Sequence, residues 1–485
     1  PQYLPSITGR VSGGGCSYTR VRITRLDSPI QPTQTEIGLE NGYYTFYCLQ
    51  SGRYRITPIS DCPQMVFTDP VTNTIVSSKD VTIGNQTGTA NFSARLNLSW
   101  TNALPALVNL RATGYDQENI YAVSAPTRTF SLYSGNNNGR TWSLLNNMIA
   151  HPFETLAPAS TVIDATSVIS IPLNASQKRI IVGFTNESSS NNIGAIMLSD
   201  DNGQTWNIIR EVVDVSGSTR GKIYGLTYNQ EKNIVFAAPA GGLPILLFSL
   251  DKGYTWQSTS SITDYIPTYN SFGTRSLFSQ GNYVYLGASN QLLRYNIANN
   301  TWSQISGVSG SVNDIIKLTS SSILISVEKS GLAEGGGVYR IDDNGISSQR
   351  LSPDWSTTMG RYNVQSIAND ISSPNSCFTF AATGDGLWYS TNDDNTWEFA
   401  GGLPSVNGIG QIPVSDVSRI LFRDSYLTVL GKSNNGIFTA PVCTNSILLS
   451  TLKIPSSILT SDQTQHQANQ EKPLNFRDDK LFTNN

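Results

Sequence analysis

One eight-residue pattern constrains this chain more than anything else in it. Ser199–Trp206 reads S-x-D-x-G-x-T-W, with Ser199, Asp201, Gly203 and Trp206 at its fixed places. Ser249–Trp256 repeats it with Ser249, Asp251, Gly253 and Trp256. Weaker copies surround these two. Asn137, Gly139 and Trp142 keep part of the pattern, Trp302 keeps its end, Asp343 and Gly345 keep its middle, and Asn392 and Trp397 keep the Asp and Trp places. The Trp place recurs at 142, 206, 256, 302, 348 and 397, in steps of 64, 50, 46, 46 and 49. A seventh unit has lost the motif, but Gly436–Thr439 echoes Gly386–Tyr389 at the same interval of 50. Residues that decay while their spacing survives mark a structural repeat.

The pattern reads as a hairpin turn. The Asp carboxylate accepts hydrogen bonds from turn N–H groups, the Gly permits positive φ, and the Trp ring packs at the sheet edge. Each unit also carries four short strand-like segments. In the third these are Lys222–Tyr228, Asn233–Pro239, Pro244–Ser249 and Thr255–Ser260, separated by polar or glycine-containing turns. No segment sustains a 3.6-residue apolar period, so helix is not expected. Seven units of four antiparallel strands over residues 96–455 predict a seven-bladed β-propeller.

The turn is similar to the Asp-box, or BNR, repeat of sialidases, sortilin-type receptors, xyloglucan-active glycosidases and photosystem II assembly factors. That resemblance implies the fold, which hosts many functions. A sialidase-like site would need the family's Arg-Ile-Pro signature. Here Arg55-Ile56-Thr57-Pro58 stands outside the repeat region.

Residues 1–95 lack the repeat and read as a smaller β-sandwich. Ile7, Gly9 and Val11 open it. Gly42-Tyr43 with Phe46 and Gly52 with Tyr54 mark a strand and a hairpin, and Val66–Pro70 and Val81–Phe92 complete it before Asn91-Phe92-Ser93-Ala94. These residues resemble the carboxypeptidase-regulatory-like, transthyretin-like domain, which implies a spacer or adhesion-associated module rather than a peptidase. The expected fold is therefore all-β: a small β-sandwich, a seven-bladed propeller and an extended polar tail at 456–485. Ile447–Leu449 and Leu452–Leu459 are candidate strands, one of them to close the ring. Leu474, Phe476, Leu481 and Phe482 are candidate anchors of the tail on a neighbouring subunit.

Composition narrows the function classes. Charged residues make up 14% of the chain, against roughly 25% in an average soluble protein. The net charge is −3 and no basic run is present, which speaks against a nucleic-acid partner. No apolar run approaches the roughly 20 residues of a membrane-spanning helix. Two histidines and no C-x-x-C spacing argue against zinc. Calcium at turns such as Asp342-Asp343-Asn344 is the one metal the residue types permit. Among the five cysteines, Cys48 with Cys62 and Cys377 with Cys443 are candidate disulfides, with five buried free thiols as the alternative. The polar surface composition points to a secreted or surface-displayed protein whose signal peptide has been removed.

No catalytic constellation is evident. Asp164, Glu187, Asp314, Glu328 and Asp385 are available carboxylates, each expected to be a turn or rim residue. The reading is a non-catalytic structural or interaction protein with protein partners, self-association included. The alternatives are a carbohydrate-binding or glycoside-hydrolysing propeller, with Tyr115, Tyr265, Tyr269 and Tyr362 as stacking aromatics, and an assembly factor for a larger complex. The last class acts through a basic patch, which the sequence does not display.

Overall fold

The computed structural model describes residues 5–442 except 13–18, 28–33, 39–41, 48, 85, 105–109, 117, 125–128, 137, 151–162, 188–191, 213–221, 241–245, 260–275, 289–290, 330–335, 343–346, 354–362, 370–377, 392–395, 404–416 and 432–434. The chain forms two compact units, Pro1–Asn445 and Ser446–Asn485. The second, with the four tail anchors and Ile447–Leu459, lies outside the described residues. Among the described residues every regular element is a strand.

Seven four-stranded antiparallel sheets follow one another along the chain. Their first strands are Leu110–Tyr115, Ile163–Pro172, Lys222–Asn229, Leu277–Gln280, Ser311–Thr319, Val364–Asn369 and Val417–Arg423. Each first strand meets the first strand of the next sheet, and the seventh meets the first, so the sheets close into a ring. This is a seven-bladed β-propeller, with the first strands around its axis.

The packing follows from stacking sheets face to face. Each pair of adjacent blades shares its own apolar cluster. Ala112, Phe130 and Leu132 of blade one meet Val168, Val182 and Phe184 of blade two. Leu421, Leu430 and Ile437 of blade seven meet Leu110, Ile120 and Ala122 of blade one, which completes the circle. Inner strands are buried on both faces and so lack alternation: Thr379–Thr383 and Gly386–Ser390 are buried throughout. Outer strands such as Ser348–Arg350 and Glu398–Gly401 are half-exposed.

The ring is closed differently from the sequence expectation. The fourth strand of blade seven is Thr101–Leu104, which pairs antiparallel with Ile437–Pro441. A segment that precedes blade one thus completes the last blade, and the closing strand does not come from the tail. The reason is chain geometry: closure needs the two ends of the repeat region to meet, and either end can supply the missing strand. Nothing in the composition of Thr101–Leu104 marks it as an outer strand.

The N-terminal residues form two further sheets, ordered Tyr43–Phe46, Ile7–Ser12, Phe92–Leu96, Met65–Thr68 and Gln34–Gly38, Thr19–Arg25, Gly52–Ser60, Lys79–Ile83. Here alternation is clear: Ile7, Gly9 and Val11 are buried while Arg10 is exposed. The stretch 81–92 is split among three strands rather than one, with Gly84 between the first two. Ile7, Val21, Ile56 and Phe92 share one core, and that core is continuous with Phe380, Tyr389 and Phe422 of blades six and seven. The Leu96 N–H donates to Tyr389 Oη at 3.2 Å, and Tyr389 donates to Glu398 Oε2 at 2.5 Å.

Candidate functional site

The sequence pattern folds into turns that belong to the frame. In the second blade Ser199 Oγ donates to Asp201 Oδ1 at 2.7 Å and accepts from the Gly203 N–H at 2.8 Å. The Thr205 N–H donates to Asp201 Oδ1 at 2.8 Å, and Trp206 Nε1 donates to the Gly203 carbonyl at 2.9 Å. Ser249, Asp251, Gly253, Thr255 and Trp256 repeat these bonds within 0.1 Å. The glycines do more than reverse the chain. Gly139, Gly203 and Gly253 have φ of 66°, 89° and 100°. A Cβ on each would lie 2.4–2.7 Å from Thr428, Leu132 or Ile181 of the preceding blade. The turn therefore leans on its neighbour where a side chain is missing. Arg179, 4% exposed, clasps the same seam. It pairs with Asp200 and donates to the Asp251 and Lys252 carbonyls, and its guanidinium lies 4.0 Å from the Tyr254 ring centroid.

The degenerate copies depart in detail. In blade one the Thr141 N–H donates to Asn136 Oδ1 at 3.3 Å, in a turn one residue longer than its relatives. Trp142 still donates to Gly139 at 2.8 Å. Trp302 packs against Tyr295 with ring centroids 5.1 Å apart. Trp397 donates instead to the Leu351 carbonyl of the preceding blade at 3.1 Å. Asn137, Asp343, Gly345 and Asn392 lie outside the described residues, as do Cys48, Cys377, Cys443, Tyr265, Tyr269 and Tyr362. Cys62 is 3% exposed in the N-terminal core.

Four of the five carboxylates considered from sequence are engaged. Asp164 pairs with Arg111 at 3.4 Å. Asp314, fully buried, accepts from Ser366 Oγ at 2.6 Å and pairs with Arg419 at 3.3 Å, tying blades five, six and seven together. Glu328 accepts from Asn313, and Asp385 accepts from Thr383 and Trp388. The side chain of Glu187 lies outside the described residues.

A pocket of about 540 Å³ lies on the ring axis, lined by first-strand residues of six blades. Thr113 and Tyr115 come from blade one, Ser167 and Ser170 from blade two, Thr227 and Tyr228 from blade three, Leu277 and Phe278 from blade four, Ile315 and Lys317 from blade five, Arg419 and Arg423 from blade seven. Asp116, Glu118 and Lys178 stand at the first hairpin turns. Strand direction alternates within a blade, so these turns share a face of the ring with the S-x-D-x-G-x-T-W turns.

The charges in this pocket are unevenly answered. Lys178 pairs with both carboxylates, at 3.1 Å from Asp116 and 2.7 Å from Glu118. Burial alone would raise the Asp116 carboxyl. Hydrogen bonds from the Glu118 and Asn119 N–H groups and from Lys178 outweigh it and hold the group below its ordinary value. Arg419 is answered by Asp314. Lys317 and Arg423 face no carboxylate within ion-pair distance among the described residues, and Arg423 donates one N–H to the Asp116 carbonyl. The Tyr115 ring, a candidate sugar platform from sequence, is engaged by two guanidinium groups, Arg419 at 4.9 Å and Arg423 at 5.3 Å.

Sequence reading missed this cationic cluster. Its members are scattered from 178 to 423, and no run of charge betrays them. The usable signal is position within the repeat: Lys317 and Arg423 both fall near the end of a first strand.

No protein-family model matches the sequence, and no curated protein does. Solved structures match over about seven-tenths of the chain. One is YCF48 bound to D1 peptide, with 15% identity, a TM-score of 0.46, and coverage of 72% of this chain and 96% of that one. Another is U3-55K, with 8% identity, a TM-score of 0.47, and coverage of 71% and 98%. A third is a chain of the mitotic checkpoint complex, with 14% identity, a TM-score of 0.45, and coverage of 71% and 91%. These are likenesses of fold. They assign neither a family nor an activity.

Proposed function

We propose that this chain is a non-catalytic interaction protein, a propeller scaffold whose axial pocket receives a segment of a protein partner. The observation that carries the reading is the pocket itself: concave, mixed in polarity, and within the roughly 300–1,000 Å³ typical of ligand sites. Its two carboxylates are both tied to Lys178, and Asp116 is held ionised, which suits neither to the role of general acid.

The reading extends to an oxidising compartment outside the cytosol. Its support is Cys62, which is disulfide-bonded, together with the low charge of the surface. It extends also to a place in a surface assembly. Its support is the exposure of Tyr43, Tyr47, Val71 and Ile75, on strands and turns of the N-terminal part, at 57%, 74%, 90% and 62%. The S-x-D-x-G-x-T-W turns act as Asp-boxes, structural rather than catalytic. Among the described residues no helix is long and apolar enough to cross a membrane.

The test is a random peptide display library panned against the intact protein and against Ala175→Trp, which fills the pocket mouth from an exposed turn position. Peptides that bind the first and not the second are expected. Equal binding to both, or none to either, removes the pocket from the reading. Release of reducing sugar from a polysaccharide, abolished by Asp116→Asn, would replace it with a glycosidase.

A further inference from the structure

Among the described residues four cationic side chains reach the axial pocket, and two of them are neutralised there by a described carboxylate. An unpaired cation in a half-buried site is unfavourable until an anion or water answers it. Lys317 and Arg423 are both half-buried and come from blades five and seven, so the ring and not the local sequence sets them in one pocket. Arg423 uses one N–H on the Asp116 carbonyl, and the rest of its planar donor fork is left for an oxyanion. Further donors in the wall lack partners. Among the described residues the Ser167 hydroxyl, in a residue 6% exposed, and Arg419 Nε have no hydrogen-bond partner.

We infer that the axial pocket selects an acidic polypeptide segment, with Lys317 and Arg423 receiving its carboxylates and Ile169, Leu226, Phe278 and Ile315 taking its apolar flanks. This rests on the partner-segment reading of the pocket. A carboxylate fits the donor set, and a peptide fits the walls better than an acidic sugar does. Sugar recognition relies on an open aromatic face; the Tyr115 ring already carries two guanidinium groups, and Tyr228 and Phe278, the other aromatics of the lining, pack against the cores between blades. The apolar lining is aliphatic at Val168, Ile169, Leu226, Leu277 and Ile315, the environment that buries Leu or Val side chains beside a charged residue.

The experiment extends the library panning. Peptides whose binding is blocked by Ala175→Trp are sequenced, and one is labelled for anisotropy titration. Enrichment in Asp and Glu is expected, with affinity falling at least about tenfold in Lys317→Met and in Arg423→Gln. It is also expected to fall as salt rises. The double variant Lys317→Glu with Arg423→Glu is expected to recover basic peptides instead. Lys317 has no bonded partner to lose among the described residues, so Lys317→Met carries the test if Arg423→Gln loosens the ring, which a melting curve shows. Pocket-blocked peptides without acidic enrichment would overturn the charge inference and leave the partner-segment reading standing. Absence of any pocket-blocked peptide would remove both. Displacement of the peptide by oligogalacturonate at equal or lower concentration would move the ligand to acidic sugars and overturn the peptide assignment.

Discussion

The turn aspartates tie residue chemistry to stability. For Asp201 and Asp251, burial acts to raise the carboxyl, and the Thr hydroxyl and N–H with the Ser hydroxyl outweigh it. Asp251 is held at about 2. A folded value below the unfolded one means the contribution is present at neutral pH and is lost as pH falls from the ordinary carboxylate range toward about 2. Asp251→Asn is therefore expected to lower stability at neutral pH and to flatten the acid limb between about pH 4 and 2, read by denaturant midpoint against pH. Unchanged curvature would assign the acid limb to other carboxylates. Gly253→Ala tests the seam: φ of 100° and a Cβ at 2.7 Å from Ile181 Cδ1 are both unfavourable. A loss above about 1 kcal/mol is expected in chemical denaturation.

Between elements, the bond from the Leu96 N–H to Tyr389 is the polar anchor where the N-terminal sheets meet the ring. It sits at the edge of a shared apolar core, which makes the N-terminal part a fixed extension of blades six and seven rather than a loose spacer. Tyr389→Phe keeps the ring packing and removes the hydroxyl, so the Leu96 N–H and Glu398 both lose a partner. Glu398 is already raised by burial, so its carboxylate depends on that donor. A cost of about 1–3 kcal/mol is expected. Hydrogen exchange at Leu96 should rise before exchange in the far blades does. Uniform exchange across the ring would contradict an anchoring role.

For the whole molecule, closure is the governing event. Thr101–Leu104 completes blade seven, and the Asp314, Ser366 and Arg419 network joins blades five, six and seven beside the axis. Asp314 is fully buried and Arg419 nearly so, so Asp314→Asn strands a guanidinium in the interior. A loss of about 3–5 kcal/mol is expected in equilibrium unfolding. Pairing it with Arg419→Met should recover part of that loss. No recovery would show that the two residues act separately. The same closure assembles the pocket, so the pocket variants are best judged against melting temperature as well as binding.

The all-β class, the blade count and the turn chemistry were legible in the chain. They depend on short-range order: a turn needs its Ser, Asp, Gly and Trp within eight residues, and repeat spacing survives the loss of any one of them. Two features were not legible. The strand that closes the ring lies more than 300 residues from its partner, and its four residues carry no pattern of their own. The axial cations are separated by about half the chain, and only the circular path of the inner strands brings Lys178, Lys317 and Arg423 to one cavity. Local hydrogen bonding and hydrophobic period are written in neighbouring residues. The charge of a central channel is a property of closure, and it exists only once the seven blades have met.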